Sequence, residues 1–250
     1  MKTECRTEPP PSRRGNPGTG LIHGIEKTLR IPVGREFITG DWVMPEAPEG
    51  IVLFAHGSGS SRHSSRNKVV ARFLQERGIG TLLMDLLTPE EERIDSVTAH
   101  LRFDIPLLAT RLGESTRWLQ SQTSGSRLPI GYFGASTGAG AALLAAAERP
   151  GEIAAIVSRG GRPDLAGRAL PHVTSPTLLI VGGNDRQVEE LNRGALAPLR
   201  CPKEIVIVPG ATHLFEEPGC MDRVSELAAD WFLRHFKAGH SPEPAKGEKP

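Results

Sequence analysis

An α/β fold with a mostly parallel sheet is the architecture this sequence predicts, on three observations. Short runs of consecutive apolar residues recur along the chain, segments with helical periodicity separate them, and the two kinds alternate to the end. Apolar runs of about five residues with no polar alternation mark strands covered on both faces. Alternation of strand and helix, with right-handed crossovers, then places helices on both sides of the sheet.

The runs are IVLFA (51–55), IGTLLM (79–84), PIGYF (129–133), IAAIV (153–157), TLLIV (177–181) and EIVIV (204–208). Between them, VVARFLQER (69–77) puts Val69, Val70, Phe73 and Leu74 on one stripe, and Gly78 can end it as a C-cap. Segments 105–122, 188–199 and 224–236 read as further helices, and AGAALLAAAERP (139–150) as another. Upstream, 26–31 and 35–43 alternate more strongly around Pro32-Val33-Gly34, the pattern of an antiparallel hairpin on the sheet edge. The sheet therefore has about eight strands. Between 157 and 177 there is room for a short helix but for no large lid, so an open site is expected.

Composition bounds the class. A chain of 250 residues can bury one substantial core. With 30 Lys+Arg against 29 Asp+Glu it lacks the basic surplus needed to grip nucleic acid or an anionic membrane, and no basic stripe is interleaved with aromatics. Cys5, Cys201 and Cys220 are scattered and form no CxxC, which argues against a disulfide framework or a zinc ribbon and fits reduced thiols in a cytoplasmic protein. No apolar run approaches the ~18 residues that span a bilayer, and the first twenty residues carry no apolar stretch of a signal peptide. Residues 1–20 and 238–250, rich in Pro, Gly and charge, read as flexible tails around a domain at 21–237.

Ligands of open parallel sheets bind at the carboxyl ends of the strands, so the residues following each run carry the chemistry. After PIGYF comes Gly134-Ala135-Ser136-Thr137-Gly138, a GxSxG that turns at once into a helix. Such a sharp turn holds the serine in a strained backbone, and the flanking glycines let neighbouring elements approach. A serine hydroxyl needs a base, and the base an orienting acid. TLLIV ends in Gly182-Gly183-Asn184-Asp185 and EIVIV in Pro209-Gly210-Ala211-Thr212-His213, giving the order Ser136, Asp185, His213. Asp185 can also be read as a helix N-cap; Asp85 and Glu92 are rival acids and His172 a rival base. The oxyanion needs two N–H donors: Thr137 is one, and the loop His56-Gly57-Ser58-Gly59 offers Ser58 first and Gly59 second, with His56 as a structural support. Neither GxxxxGK[ST] nor GxGxxG is present.

Together, HGSGSSRHSSRN (56–67), GYFGASTGAGAALLAAA (131–147), LLIVGGNDRQV (178–188) and PGATHLFEEPG (209–219) resemble the dienelactone-hydrolase-like branch of the α/β-hydrolase superfamily, over roughly residues 20–237. The chain also resembles the hydrolase module that some bacterial proteins join to a phosphoribosyltransferase domain; no such domain is read in these residues. The resemblance implies an α/β-hydrolase fold, Ser136 as nucleophile, His213 as base, Asp185 as acid, and no cofactor or metal. Dienelactone hydrolases proper carry cysteine at the nucleophile position, so ester or lactone cleavage through an acyl-enzyme is implied rather than dienelactone itself as substrate. Arg62, with Arg66, follows the oxyanion loop and Arg159 follows IAAIV; one or more of these guanidiniums, Arg62 and Arg159 first, are candidates to hold a substrate carboxylate in a bidentate pair, against the reading that they pair with Glu92 or Asp164 or face water. The expected partner is a small-molecule ester or lactone, not nucleic acid or membrane; oligomeric state, a homodimer included, is left open. Two other functions stay open: acyl transfer to an alcohol or peroxide with the same triad, and a non-catalytic binding module on this fold.

Overall fold

A computed structural model describes residues 24–123 and 128–238. The expected tails and Cys5 lie outside the described residues, except that Ala238 closes the last helix. The sheet has eight strands: β1 (Gly24–Val33), β2 (Glu36–Pro45), β3 (Gly50–Ala55), β4 (Ile79–Met84), β5 (Ile130–Ala135), β6 (Ile153–Arg159), β7 (Thr177–Gly182) and β8 (Lys203–Val208). Their spatial order is β1-β2-β4-β3-β5-β6-β7-β8. The first hairpin and the β2–β4 pair are antiparallel; every other pair is parallel. The hairpin is longer than its alternation suggests, because Pro32 and Val33 pair with Phe37 and Glu36 and the turn falls on Gly34 and Arg35.

Six helices fill the connections: α1 (Ser65–Glu76), α2 (Pro89–Thr98), α3 (Ile105–Gln122), α4 (Thr137–Ala147), α5 (Arg186–Leu196) and α6 (Cys220–Ala238). The two faces of the central strands sort them. Val52 and Phe54 of β3 join a core with α1 and α6, whereas Ile51 and Leu53 point the other way, into a core with α3, α4 and α5. Every residue of β3, β4, β5 and β7 is buried, which is why these strands lack polar alternation. Cys201 and Cys220 are buried free thiols on different cores.

One helix, α2, has no counterpart in the sequence reading. It buries only Asp95 and leaves Ile94 and Val97 exposed, so no apolar stripe announces it. What defines it is its start: Thr88 and Glu91 form a reciprocal capping box, followed at once by Pro89. Between β6 and β7 the expected short helix is a 3-10 segment, Pro163–His172, and nothing larger covers the strand ends there.

Beneath the sheet centre, the Tyr132 hydroxyl is fully buried and meets Thr116 Oγ1 at 2.6 Å, while Thr116 donates to the Leu112 carbonyl. Burial pushes the tyrosine well above its ordinary titration range, and the Thr116 hydrogen bond opposes that only in part. Thr116→Val should cost about 1–3 kcal/mol by leaving a buried hydroxyl without its partner. Tyr132→Phe added to it should recover part of that loss in urea unfolding; a double variant no more stable than Thr116→Val would contradict this reading.

Candidate active site

The site begins with a backbone that L-residues rarely adopt. Ser136, between β5 and α4, sits at φ 49° and ψ −122°. Close packing holds it there: a Cβ on Gly134 would stand 2.7 Å from the Ala139 backbone nitrogen, and one on Gly138 would stand 2.6 Å from the His56 carbonyl oxygen. The two glycines of GxSxG are thus the positions where α4 meets its own strand and the loop after β3. That loop comes equally near the serine, since a Cβ on Gly57 would lie 2.9 Å from Ser136 Cβ.

The turns after β7 and β8 are joined through main chain. Asn184 N–H donates to the Ala211 carbonyl and its side-chain amide to the Gly210 carbonyl, both at 2.9 Å. Both Glu217 carboxylate oxygens accept from Thr212 N–H at 3.1 Å, which braces the turn after β8 and lowers the Glu217 pKa. The result is a 2.7 Å contact between His213 Nδ1 and Asp185 Oδ2. Asp185 stands at the N-cap place of α5 yet makes no capping bond with its side chain, which is turned to the histidine instead. With Nδ1 donating to the carboxylate, Nε2 is the ring nitrogen left to accept a proton. Ser136, His213, Gly57 and Ser58 line one cleft of about 220 Å³.

Thr137 N–H is the first amide of α4 and has no partner within the helix by position. Ser58 N–H donates to Thr137 Oγ1 at 2.8 Å, so the second expected donor reaches the residue beside the nucleophile. His56, largely buried, turns Nδ1 to the Gly57 carbonyl at 2.9 Å; burial lowers its pKa, with that bond and the charges of Asp85 and Glu92 working the other way. Of the rivals, Asp85 and Glu92 line a separate cavity with Arg62, and His172 ends the 3-10 segment.

The two arginines part company. Arg62 does not line the Ser136 cleft: its Nη1 bonds Asp85 at 2.5 Å, its Nε lies 3.5 Å from Asp41, and its backbone N–H also donates to Asp85. Its guanidinium is thus engaged by Asp85 and Asp41, and the alternative of Glu92 as its partner is corrected. Arg159 lines the cleft, opposite Ala135 in the β5–β6 register and one residue from the nucleophile. Asp164 pairs with Arg162, not with Arg159. Sequence reading overlooked Asn67, whose side-chain oxygen takes the Arg159 Nη2 at 3.4 Å, and Phe215, at φ 56° with its ring 5.9 Å from the guanidinium. A position just past the base loop was the available signal for Phe215; Asn67 carried none.

A structure of a dienelactone hydrolase from Anabaena variabilis shares 57% of its sequence with this chain, superposes with a TM-score of 0.83, and is matched over 98% of its length and 85% of this one. A Mycobacterium tuberculosis protein provisionally named phosphoribosyl transferase Rv0571c is 55% identical over 211 residues, 84% of this chain and 47% of its own. The chain thus spans about half the length of such curated relatives. Est1E from Butyrivibrio proteoclasticus, at 16% identity over 84% of this chain and 99% of its own with a TM-score of 0.67, shares the fold. No family model matches the chain. No described helix is long and apolar enough to cross a membrane.

Arg62→Ala should lower stability by roughly 1 kcal/mol through loss of its partly exposed pairs. It should leave the KM for acidic esters, which carry a free carboxylate, unchanged; a raised KM would return Arg62 to the site.

Proposed function

Because this chain belongs to the dienelactone hydrolase family, we propose that it is a serine hydrolase that cleaves a carboxylic ester or lactone through an acyl-enzyme on Ser136. One observation carries the reading: a serine in a strained strand-to-helix turn shares a cleft with a histidine whose other nitrogen is held by a carboxylate.

In this mechanism Ser136 Oγ attacks the carbonyl carbon as His213 Nε2 accepts the hydroxyl proton. The carbonyl electron pair moves to oxygen, then returns as the alkoxide leaves and takes the proton from His213. Water repeats the sequence on the acyl-enzyme and releases the acid. Asp185 holds the imidazole in the required tautomer and stabilises its cation. Thr137 N–H faces the developing oxyanion, and Ser58 N–H exchanges the Thr137 hydroxyl for that oxygen, an anion being the stronger acceptor. Each such donor is worth about 10²- to 10³-fold in rate. Hydrolysis is favoured over acyl transfer by access of water: the His213 side chain is 40% exposed and only the 3-10 segment stands between β6 and β7.

Ser136→Ala should abolish labelling by a fluorophosphonate and lower kcat on a panel of p-nitrophenyl esters and lactones by at least ~10⁴-fold. Labelling that survives would place the nucleophile elsewhere. Asp185→Asn should still be labelled, slowly, with kcat reduced by about 10⁴-fold, since Nδ1 would lose the acceptor that sets the tautomer; an unaltered kcat would remove Asp185 from the mechanism.

A further inference from the structure

The cleft holds more positive charge than ester chemistry requires. Arg159 is 6% exposed, and among the described residues it has no carboxylate partner. Its recorded contacts are Asn67 Oδ1 at 3.4 Å and the Phe215 ring, and its Nε is buried without an acceptor. Burial, and next the charge of Arg66, lower its pKa to about 10, so it stays a cation at neutral pH. A buried cation without a counter-charge opposes folding unless something else offsets it.

Two further groups face the same space. Arg66 lines the cleft, and its Nε is likewise buried without an acceptor; its one ion pair, Nη1 to Glu216 at 2.9 Å, goes to a carboxylate 64% exposed at the rim. Arg66 also belongs to the first turn of α1. The Ser64 side chain and carbonyl take the Asn67 and Lys68 amides, so the amides of Ser65 and Arg66 are those the helix leaves without an internal partner. Ser64, Arg66 and Asn67 all line the cleft, which turns the positive end of α1 toward it.

We propose that this cradle is a phosphate subsite beside Ser136, and that the ester or lactone cleaved there carries a phosphate monoester. The inference rests on the ester-hydrolase reading and names its substrate class. One guanidinium fork satisfies a planar carboxylate. Here one guanidinium rises from β6, a second comes from α1, and helix amides add a third direction. Donors converging from several sides suit a tetrahedral group with three oxygens and about −1.5 to −2 charge.

The probe is inorganic phosphate, titrated calorimetrically into the full chain and into Ser136→Ala, with acetate as the planar comparison. Phosphate should bind both proteins equally, and acetate at least about tenfold more weakly. Arg159→Met should weaken phosphate by about tenfold or more, and Arg66→Gln measurably, with Arg159→Lys recovering part of the loss. Phosphate should also inhibit p-nitrophenyl acetate hydrolysis competitively in the wild type. No heat with phosphate, acetate binding as tightly as phosphate, or unchanged phosphate binding in Arg159→Met would each overturn the subsite. Should Arg159→Met fail to fold by circular dichroism, unchanged binding in Arg66→Gln overturns it instead. If Ser136→Ala keeps full esterase activity while phosphate still binds, the ester reading fails and the subsite stands.

Discussion

Ser136 holds a backbone conformation that costs of order 1–3 kcal/mol, and the surrounding structure is arranged so that it cannot relax. On one side β5 is locked between β3 and β6, with Ala55 opposite Gly134 and Arg159 opposite Ala135. On the other, α4 is buried along nearly its whole length, so moving the turn would move a helix embedded in the core. Sheet and helix can close this tightly only because Gly134 and Gly138 present no Cβ to the backbone they touch. The serine hydroxyl is thereby lifted clear of the strand, at the start of a helix whose first amide is free for an oxyanion.

Around that turn, each polar group is positioned by a contact made elsewhere. The Asn184 bonds draw the turns after β7 and β8 together and the Glu217 bonds brace the second of them, which brings the Asp185 carboxylate to His213 and withdraws it from capping α5. The Ser58–Thr137 bond ties the oxyanion loop to the first turn of α4. The acids distribute the arginines: Asp85 and Asp41 take Arg62 out of reach, Glu216 engages Arg66 from the rim, and Arg159 keeps its charge in the cleft. Two guanidiniums thus line the serine's cleft although the formal charge of the chain is only +1.

Much of this was legible before any coordinates. All six parallel strands lie within a residue or two of their apolar runs, because a strand covered on both faces must be apolar throughout; β8, at the sheet edge and only partly buried, carries the same kind of run without that cover. Segment 105–122 carries a regular stripe and is helix α3 end to end. Helix α2 was not read, since its apolar residues face solvent and its only buried one is a carboxylate. The acids that engage Arg62 were not read for a related reason: following the oxyanion loop fixes which rim a residue sits on but not which neighbour its long side chain meets, and the carboxylates of Asp41 and Asp85 lie on two other strands or their ends.

Hydrophobic periodicity and the chemistry of single motifs are local properties, so the chain order by itself determined the layered α/β architecture, the turn at 134–138, and the edge where a hydroxyl, a carboxylate and an imidazole emerge. Which of those groups touch depends on contacts between segments far apart in the chain, and such pairings leave no periodic trace. The separations of 28 positions from Asp185 to His213, and of 92 from Asn67 to Arg159, are bridged only once the strands are stacked. Tertiary structure alone decided that, among the described residues, Arg159 is buried without a counter-charge whereas Arg62 has two, because burial removes solvent from one cation while the fold supplies carboxylates to the other.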